Sequence, residues 1–323
     1  MPITWRPATW NDIEPCLAIQ PSNRGDACSD VKSALESWKR LFEAPFSSSI
    51  VLESSPAIQG YGLIGFGSAV LVSTRFTDAE VAHPRPDITS RIMASLHSGA
   101  SVLASWDEIA RANAGDGVDV VIVYVAWRDN ILSPAERHDV EELFPTSFAD
   151  NFAGFRIRRI VVETTSEPVT HFHRRSLEYQ VIAEFSDIGR VIHLMTEESA
   201  TVLPGSFGNV IFKAYQPVLR LRNSDQQLLL AALKGATDNE LAVQLGITLS
   251  AVKARWRSTI ARIEEVMPDL VIDTEYRKGR GAQKRHRVLA YLRTHMEELR
   301  PYDWKAKLRQ PKQQGIAKTP RSI

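Results

Sequence analysis

The apolar positions of this chain follow two different periods, and the switches between them mark its elements. Residues 3–6 alternate and predict a short strand, with a helix following over 11–19. Over residues 29–42, Val31, Leu35, Trp38 and Phe42 recur at helical spacing and predict an amphipathic helix. Residues 50–53 and 63–73 read as strands, and 88–97 and 106–112 as short helices. The segment 118–126, VDVVIVYVA, is continuous, apolar and β-branched, the pattern of a strand covered on both faces. Ser133, Pro134 and Glu136 then open a helix. The serine caps, the proline takes the first helical position, and the glutamate reaches back to complete a capping box. A strand over 155–164, a helix over 168–177 and strands over 179–185 and 190–195 complete the set, and Pro204, Gly205, Ser206 and Pro217 mark a linker.

Beyond the linker the period is helical. Ser224 with Gln227, and Thr237 with Glu240, are capping boxes that start two helices, while Gly235 and Gly246 stand where such helices end. Leu228, Leu229, Leu233, Leu241 and Leu245 supply a small core, and Val252, Trp256, Ile260 and Ile263 form the buried stripe of a third helix. The opposite face carries Ser250, Lys253, Ala254, Arg255, Arg257 and Arg262. Short residues beside cations let such a helix approach a DNA major groove closely. After Pro268 a Lys/Arg/Gly loop leads to a further stripe of Val288, Leu289, Leu292, Met296 and Leu299. Two roles stay open for it: a dimer helix preceded by a phosphate-touching arm, or a helix packed on the N-terminal part. Disorder is expected after about residue 305.

With 323 residues the chain exceeds one ordinary core. The pattern divides it into an α/β unit (1–215), an all-α helix-turn-helix unit (216–270) and a third segment, 271–323, of basic loop, amphipathic helix and tail. Charge sharpens the division. Residues 218–323 hold 21 Lys and Arg against 11 Asp and Glu, whereas residues 1–217 hold 18 against 27. An acidic body with a basic tail points to a polyanionic partner. Cys16 and Cys28 are too few for a disulfide framework and have no CxxC spacing. The chain has neither a secretory leader pattern nor a run of about 18 apolar residues, so a cytoplasmic protein without membrane contact is expected.

Other motifs weigh little. Gly60, Gly62 and Gly65 fit G-x-G-x-x-G but run into a strand, which favours a hairpin over a dinucleotide loop. His171 with His173, and His138 with Glu141 and Glu142, read as solvated helix faces, and no metal or cofactor is expected. No G-x-S-x-G, Walker A or H-E-x-x-H pattern occurs.

The order of elements over residues 1–195, with the opening ITWRPATWNDIEPCLAI and the turn RRSLEY at 174–179, resembles the GNAT acetyltransferase fold. The resemblance implies a mixed sheet with flanking helices. Two of its catalytic features are missing here: the coenzyme A loop would fall on Arg128–Pro134, which holds no glycine, and the tyrosine acid would fall on Arg174. The segment ELAVQLGITLSAVKAR, 240–255, is similar to the LuxR-type (GerE-like) helix-turn-helix, departing at Ala251 and Arg255. That resemblance implies a bacterial-type, sequence-specific DNA-binding transcriptional regulator. It would be a homodimer on double-stranded DNA, with RNA polymerase as a further partner, and would not be an enzyme. The N-terminal unit would sense or dimerise. A GNAT-type acetyltransferase fused to a DNA-binding module and a sigma-factor-like protein are the alternatives.

Overall fold

The structure is a computed structural model and describes residues 3–19, 31–99, 102–200, 206–214, 216–271 and 281–305. Cys28, the expected helix start at 29–30, linker residues Pro204 and Gly205, the basic loop 272–280 and the tail beyond 305 lie outside the described residues.

Seven strands form one sheet: β1 (Ile3–Pro7), β2 (Ser48–Ile58), β3 (Tyr61–Val72), β4 (Val118–Trp127), β5 (Ile157–Thr164), β6 (Gln180–Phe185) and β7 (Arg190–Thr196). Their spatial order is β1-β2-β3-β4-β5-β7-β6, and only the central pair β4–β5 is parallel. Among the described residues up to 215 the helices are α1 (Ile13–Leu17), α2 (Val31–Glu43), α3 (Thr74–Ala82), α4 (Ile88–His97), α5 (Trp106–Ala114), α6 (Pro134–Phe152), α7 (Glu167–His171), α8 (Glu197–Ala200) and α9 (Phe207–Ile211). A parallel pair needs a crossover, and α6 supplies it. The mixed sheet with flanking helices is the expected fold for this part of the chain.

The continuous apolar run of β4 follows from cover on both faces. On one side Trp38, Leu41, Ile88 and Ile92 of α2 and α4 pack on Phe66, Val121 and Val123. On the other, Ile109, Phe152 and Phe155 pack on Val120, Ile160 and Val162. The β2–β3 turn is Gln59-Gly60, with φ of 48° and 87°, so the glycine motif belongs to a two-residue hairpin. The helix expected over 168–177 is instead the five residues of α7 followed by a π-helical turn, Phe172–Ser176.

A second core joins α10 (Asn223–Leu233), α11 (Asp238–Gln244), α12 (Leu249–Val266), α13 (Pro268–Val271) and α14 (Gly281–Thr294). Val252, Trp256 and Ile263 are buried in it, as are Val288 and Leu292, so the stripe of α14 is consumed within this unit. Thr237 and Glu240 cap α11 reciprocally. The first box differs from expectation: Arg222 stands at the cap of α10, and Asp225, not Gln227, completes it.

Residues 296–303 return to the α/β unit as a strap. Arg300, 6% exposed, donates from Nε to the Ala153 carbonyl (2.8 Å) and from Nη2 to the Asn151 carbonyl (3.0 Å), at the C-terminal end of α6. Its guanidinium lies 4.5 Å from the Phe155 ring centroid. The negative end of the helix dipole and the ring face favour a cation there, although burial lowers the guanidinium pKa to about 10. Asn113 donates to the Pro301 carbonyl (3.1 Å), and the Asp303 N–H donates to the Ala110 carbonyl (3.0 Å). On its other side the strap holds the helical unit, where the buried Glu298 carboxylate accepts from the N–H groups of Val218 (2.8 Å) and Leu219 (2.9 Å).

Candidate active site

β4 and β5 pair from Val118–Ile157 to Ile122–Val162 and no further. Val123 is the next residue, and it is the one skipped between the Ser68–Tyr124 and Ala69–Ile122 pairs of β3 and β4. A bulge bends its strand, and here it turns β4 away from its parallel neighbour. At the far end the pair is held shut. Buried Asp119 of β4 accepts from Arg158 Nε (2.8 Å) and Arg159 Nε (3.1 Å) of β5. At the open end the Glu163 carboxylate of β5 reaches across to α4 and accepts from the N–H groups of Asp87 and Ile88, each at 2.8 Å. The sheet therefore splays at its centre.

An apolar chamber of about 50 Å³ lies at the splay, between α6 and the sheet. Gly67 and Ala69 of β3 and Ile122 of β4 form its floor, Phe144 and Phe148 of α6 its roof, and His173 and Tyr179 part of its wall. Gly67 is needed for packing, since a Cβ there would stand 3.0 Å from the Phe144 ring. His173 Nδ1 lies 2.8 Å from the Val169 carbonyl, which can only accept. That nitrogen therefore carries the proton, and Nε2 keeps a lone pair. Burial pushes the His173 pKa down to about 4, so the ring is neutral at neutral pH. Burial raises the Tyr179 pKa, so the phenol keeps its proton. The two rings are 5.2 Å apart. A neutral base and a protonated acid thus share one buried wall, an arrangement suited to moving a proton on and off reacting atoms. Behind them, His193 Nε2 lies 2.9 Å from the Thr164 hydroxyl, its ring 5.7 Å from His173.

The sequence pattern singles out neither Thr164, Tyr179 nor His193, and it places His173 on a solvated face. The solvated face expected for His173 fails because a π turn carries an extra residue and rotates that side chain inward. His171 is exposed, as expected, and His138 pairs with Glu142 at 3.2 Å on the surface. Arg174, where the family tyrosine was placed, is ion-paired with Glu184 at 3.1 Å, and the tyrosine at this end is Tyr179. The run RVIHLMT carried one usable signal, because a histidine inside an apolar strand is a buried polar group in search of a partner.

The fold implies a coenzyme A diphosphate at the N-terminus of α6, and the residues there do not fit one. An anion site at a helix start needs free N–H groups. Pro134 has none, the Glu136 N–H is taken by Ser133 Oγ (3.3 Å), and the Glu136 carboxylate accepts from the Ser133 N–H (2.9 Å) and hydroxyl (2.7 Å). Those bonds hold Glu136 below the ordinary carboxylate range, so it is charged. A second carboxylate, Asp129, sits in the same loop and ties up Arg137 at 2.7 Å.

The residues expected to touch DNA differ in their surroundings. Ser250, Lys253, Ala254 and Arg257 are exposed on α12, and Arg255 is half-buried. Arg262 is ion-paired with Asp225, which also accepts from the buried Thr259 hydroxyl at 2.8 Å.

No protein-family model matches the chain, and no curated protein matches it. Solved structures similar to it include an N-acyl amino acid synthase, FeeM, from uncultured soil microbes (11% identity, 62% of this chain and 95% of that one, TM-score 0.34). A mosquito arylalkylamine N-acetyltransferase-like protein (12%, 60% and 100%, 0.36) and a spermidine N-acetyltransferase from Vibrio cholerae (8%, 62% and 98%, 0.35) are others. At these TM-scores the likeness carries no argument about activity, and the strand order stands on its own. The expectation of a LuxR-type transcriptional regulator that is a homodimer on double-stranded DNA, partners RNA polymerase and is no enzyme is corrected to the fold alone: these three solved structures are named as an N-acyl amino acid synthase and as N-acetyltransferases, and none as a DNA-binding regulator. No helix among the described residues is long and apolar enough to cross a membrane.

Proposed function

We propose that the α/β unit, about residues 1–215, is an acyltransferase that moves a short acyl group from a thioester to an amine. The observation that carries this reading is the coincidence of the β4 bulge, the end of β4–β5 pairing and an apolar chamber walled in part by His173 and Tyr179. A water molecule needs about 10–15 Å³ by the same measure, so 50 Å³ suits an acyl group of few carbons. The acceptor is an amine, as the names of the three similar structures have it for theirs.

The amine nitrogen bonds to the thioester carbonyl carbon while His173 Nε2 takes its proton. The carbon–sulfur bond then breaks, and the leaving thiolate takes the proton of Tyr179, giving an amide and a thiol. The proton on His173 restores the phenol. The helices from residue 216 onward form a separate all-α unit of helix-turn-helix outline, supported by its own core.

The test is thiol release by the full chain from acetyl, propionyl and butyryl thioesters in the presence of a panel of primary amines. Amine-dependent release that disappears in the His173→Gln/Tyr179→Phe double variant is expected. Release no greater than in that variant would sink the proposal.

A further inference from the structure

We propose that Phe207 fixes the acyl length: its ring ends the chamber, and it limits the donor to straight acyl chains that stop short of it. The proposal rests on the acyl-transfer reading and narrows its substrate. A chamber of about 50 Å³ holds about four groups the size of a water molecule, which corresponds to a chain of about four carbons.

Four phenylalanine rings line the chamber, and they are not equivalent. Phe144 and Phe172 are both braced by the Trp127 ring, at 5.7 and 5.8 Å, and Phe148 stacks on Phe152 at 4.5 Å. Those three rings come from α6 and the π turn, and the aromatic core of the α/β unit backs them. Phe207 comes from α9, beyond the last strand of the sheet. Its ring meets Phe148 edge to face at 5.9 Å and is half-buried, so it stands between the chamber and solvent. Val210, three residues on, is 59% exposed, so the face of α9 that carries Phe207 continues outward as apolar surface. An acyl chain running past Phe207 would emerge there.

A stop must also stay in place. Gly208 lets α9 lie flush on α8, since a Cβ there would stand 2.3 Å from the Ala200 Cβ. The Ser206 hydroxyl donates to the Ala200 carbonyl (3.3 Å), and the Asn209 amide donates to that hydroxyl (3.2 Å). Past Phe207, Ile211 and Phe212 are buried in the core that holds Phe152 and Phe155. Further along, the N–H groups of Val218 and Leu219 are fastened to Glu298 of the strap, and Arg300 of the same strap fastens the end of α6. The contact between Phe148 and Phe207 is thus tethered from both sides, and a longer chain would have to displace it. In an apolar pocket one surplus methylene costs about 10-fold to 200-fold in selectivity, which is enough for a sharp limit.

Chain-length profiles of the full chain test the proposal. Acyl thioesters of N-acetylcysteamine report turnover, and the matching S-alkyl thioethers, ethyl to octyl, report binding by calorimetry. In the parent chain both profiles should fall steeply beyond about four carbons. Phe207→Ala should raise the octyl-to-ethyl affinity ratio by about tenfold or more, and Phe207→Trp, with its larger ring, should lower the butyl-to-ethyl ratio by about tenfold. Shifts in opposite directions cannot come from a loss of folding. Ratios that stay unchanged in both variants, or that move the same way, would overturn the proposal, and so would failure of every thioether to bind. Oppositely shifted thioether ratios with no turnover of any thioester would keep Phe207 as the end of the chamber and remove the acyl-transfer reading.

Discussion

The Thr164 hydroxyl meets His193 Nε2 at 2.9 Å and the Thr170 hydroxyl at 2.7 Å, while His193 Nδ1 has no hydrogen-bond partner among the described residues and the ring is fully buried. One hydroxyl has one proton to give, so the threonine orients the imidazole without charging it. Burial, followed by the nearby His173 and Arg174, lowers the His193 pKa to about 3. Both rings, His173 in the chamber wall and His193 behind it, are thus folded in their neutral form.

Acid should therefore destabilise the fold well before its carboxylates titrate. An unfolded histidine takes up a proton near pH 6.5, whereas His173 waits until about 4. Between those values the unfolded state binds more protons, so stability falls as pH falls, by an order of 3 kcal/mol for His173 alone. Urea midpoints at pH 7 and pH 5 should differ, and by less in His193→Gln. Equal midpoints in the parent chain would show that these rings are not buried neutral.

Tyr179→Phe should separate activity from stability. No hydrogen bond to its hydroxyl is formed among the described residues, so little native bonding is lost, and the melting temperature should hold or rise slightly. The loss of the proton donor should lower kcat about 100-fold with KM little changed. A variant that melts early with kcat intact would mark the tyrosine as packing alone.

Chamber size should set acyl length. Gly67→Ala places a methyl 3.0 Å from the Phe144 ring and narrows the space, so the butyryl thioester should lose more activity than the acetyl one. Phe148→Ala should shift preference toward longer chains at a smaller stability cost than the about 3–5 kcal/mol of a fully buried phenylalanine, because Phe148 is half-buried. Parallel losses for all acyl groups in both variants would place the acyl group elsewhere.

Arg300→Met should weaken the seam between the two units. It leaves the Asn151 and Ala153 carbonyls without their donor, which costs about 2–4 kcal/mol in total. Calorimetry should then resolve two transitions, one for each core. A single transition at the parent temperature would show that the strap does not couple them.

The parts legible in the sequence were those written in periodicity and caps. The β4 run, the Ser133-Pro134-Glu136 start of α6 and the Thr237–Glu240 box each follow from a local rule that nothing distant overrides. The site was not legible because it depends on irregularity. The Val123 bulge leaves no mark in an unbroken apolar run, and the π turn at Phe172–Ser176 reads as ordinary helix until its extra residue is counted. Asp225 was missed for a different reason. Its partners Thr259 and Arg262 lie on another helix, and a cap read from neighbours alone cannot see them.

The strap also sets an order in time. Its tightest point is Gly154, at φ 84°, where a Cβ would stand 2.3 Å from the Glu297 backbone nitrogen. Everything that closes on α6 from that side is translated more than a hundred residues after α6 itself. A nascent chain therefore presents Phe46, Phe155 and the bare end of α6 until residues 296–303 leave the ribosome. Premature release within that stretch would leave the C-terminal end of α6 without its Arg300 donors, a target for chaperones and proteases.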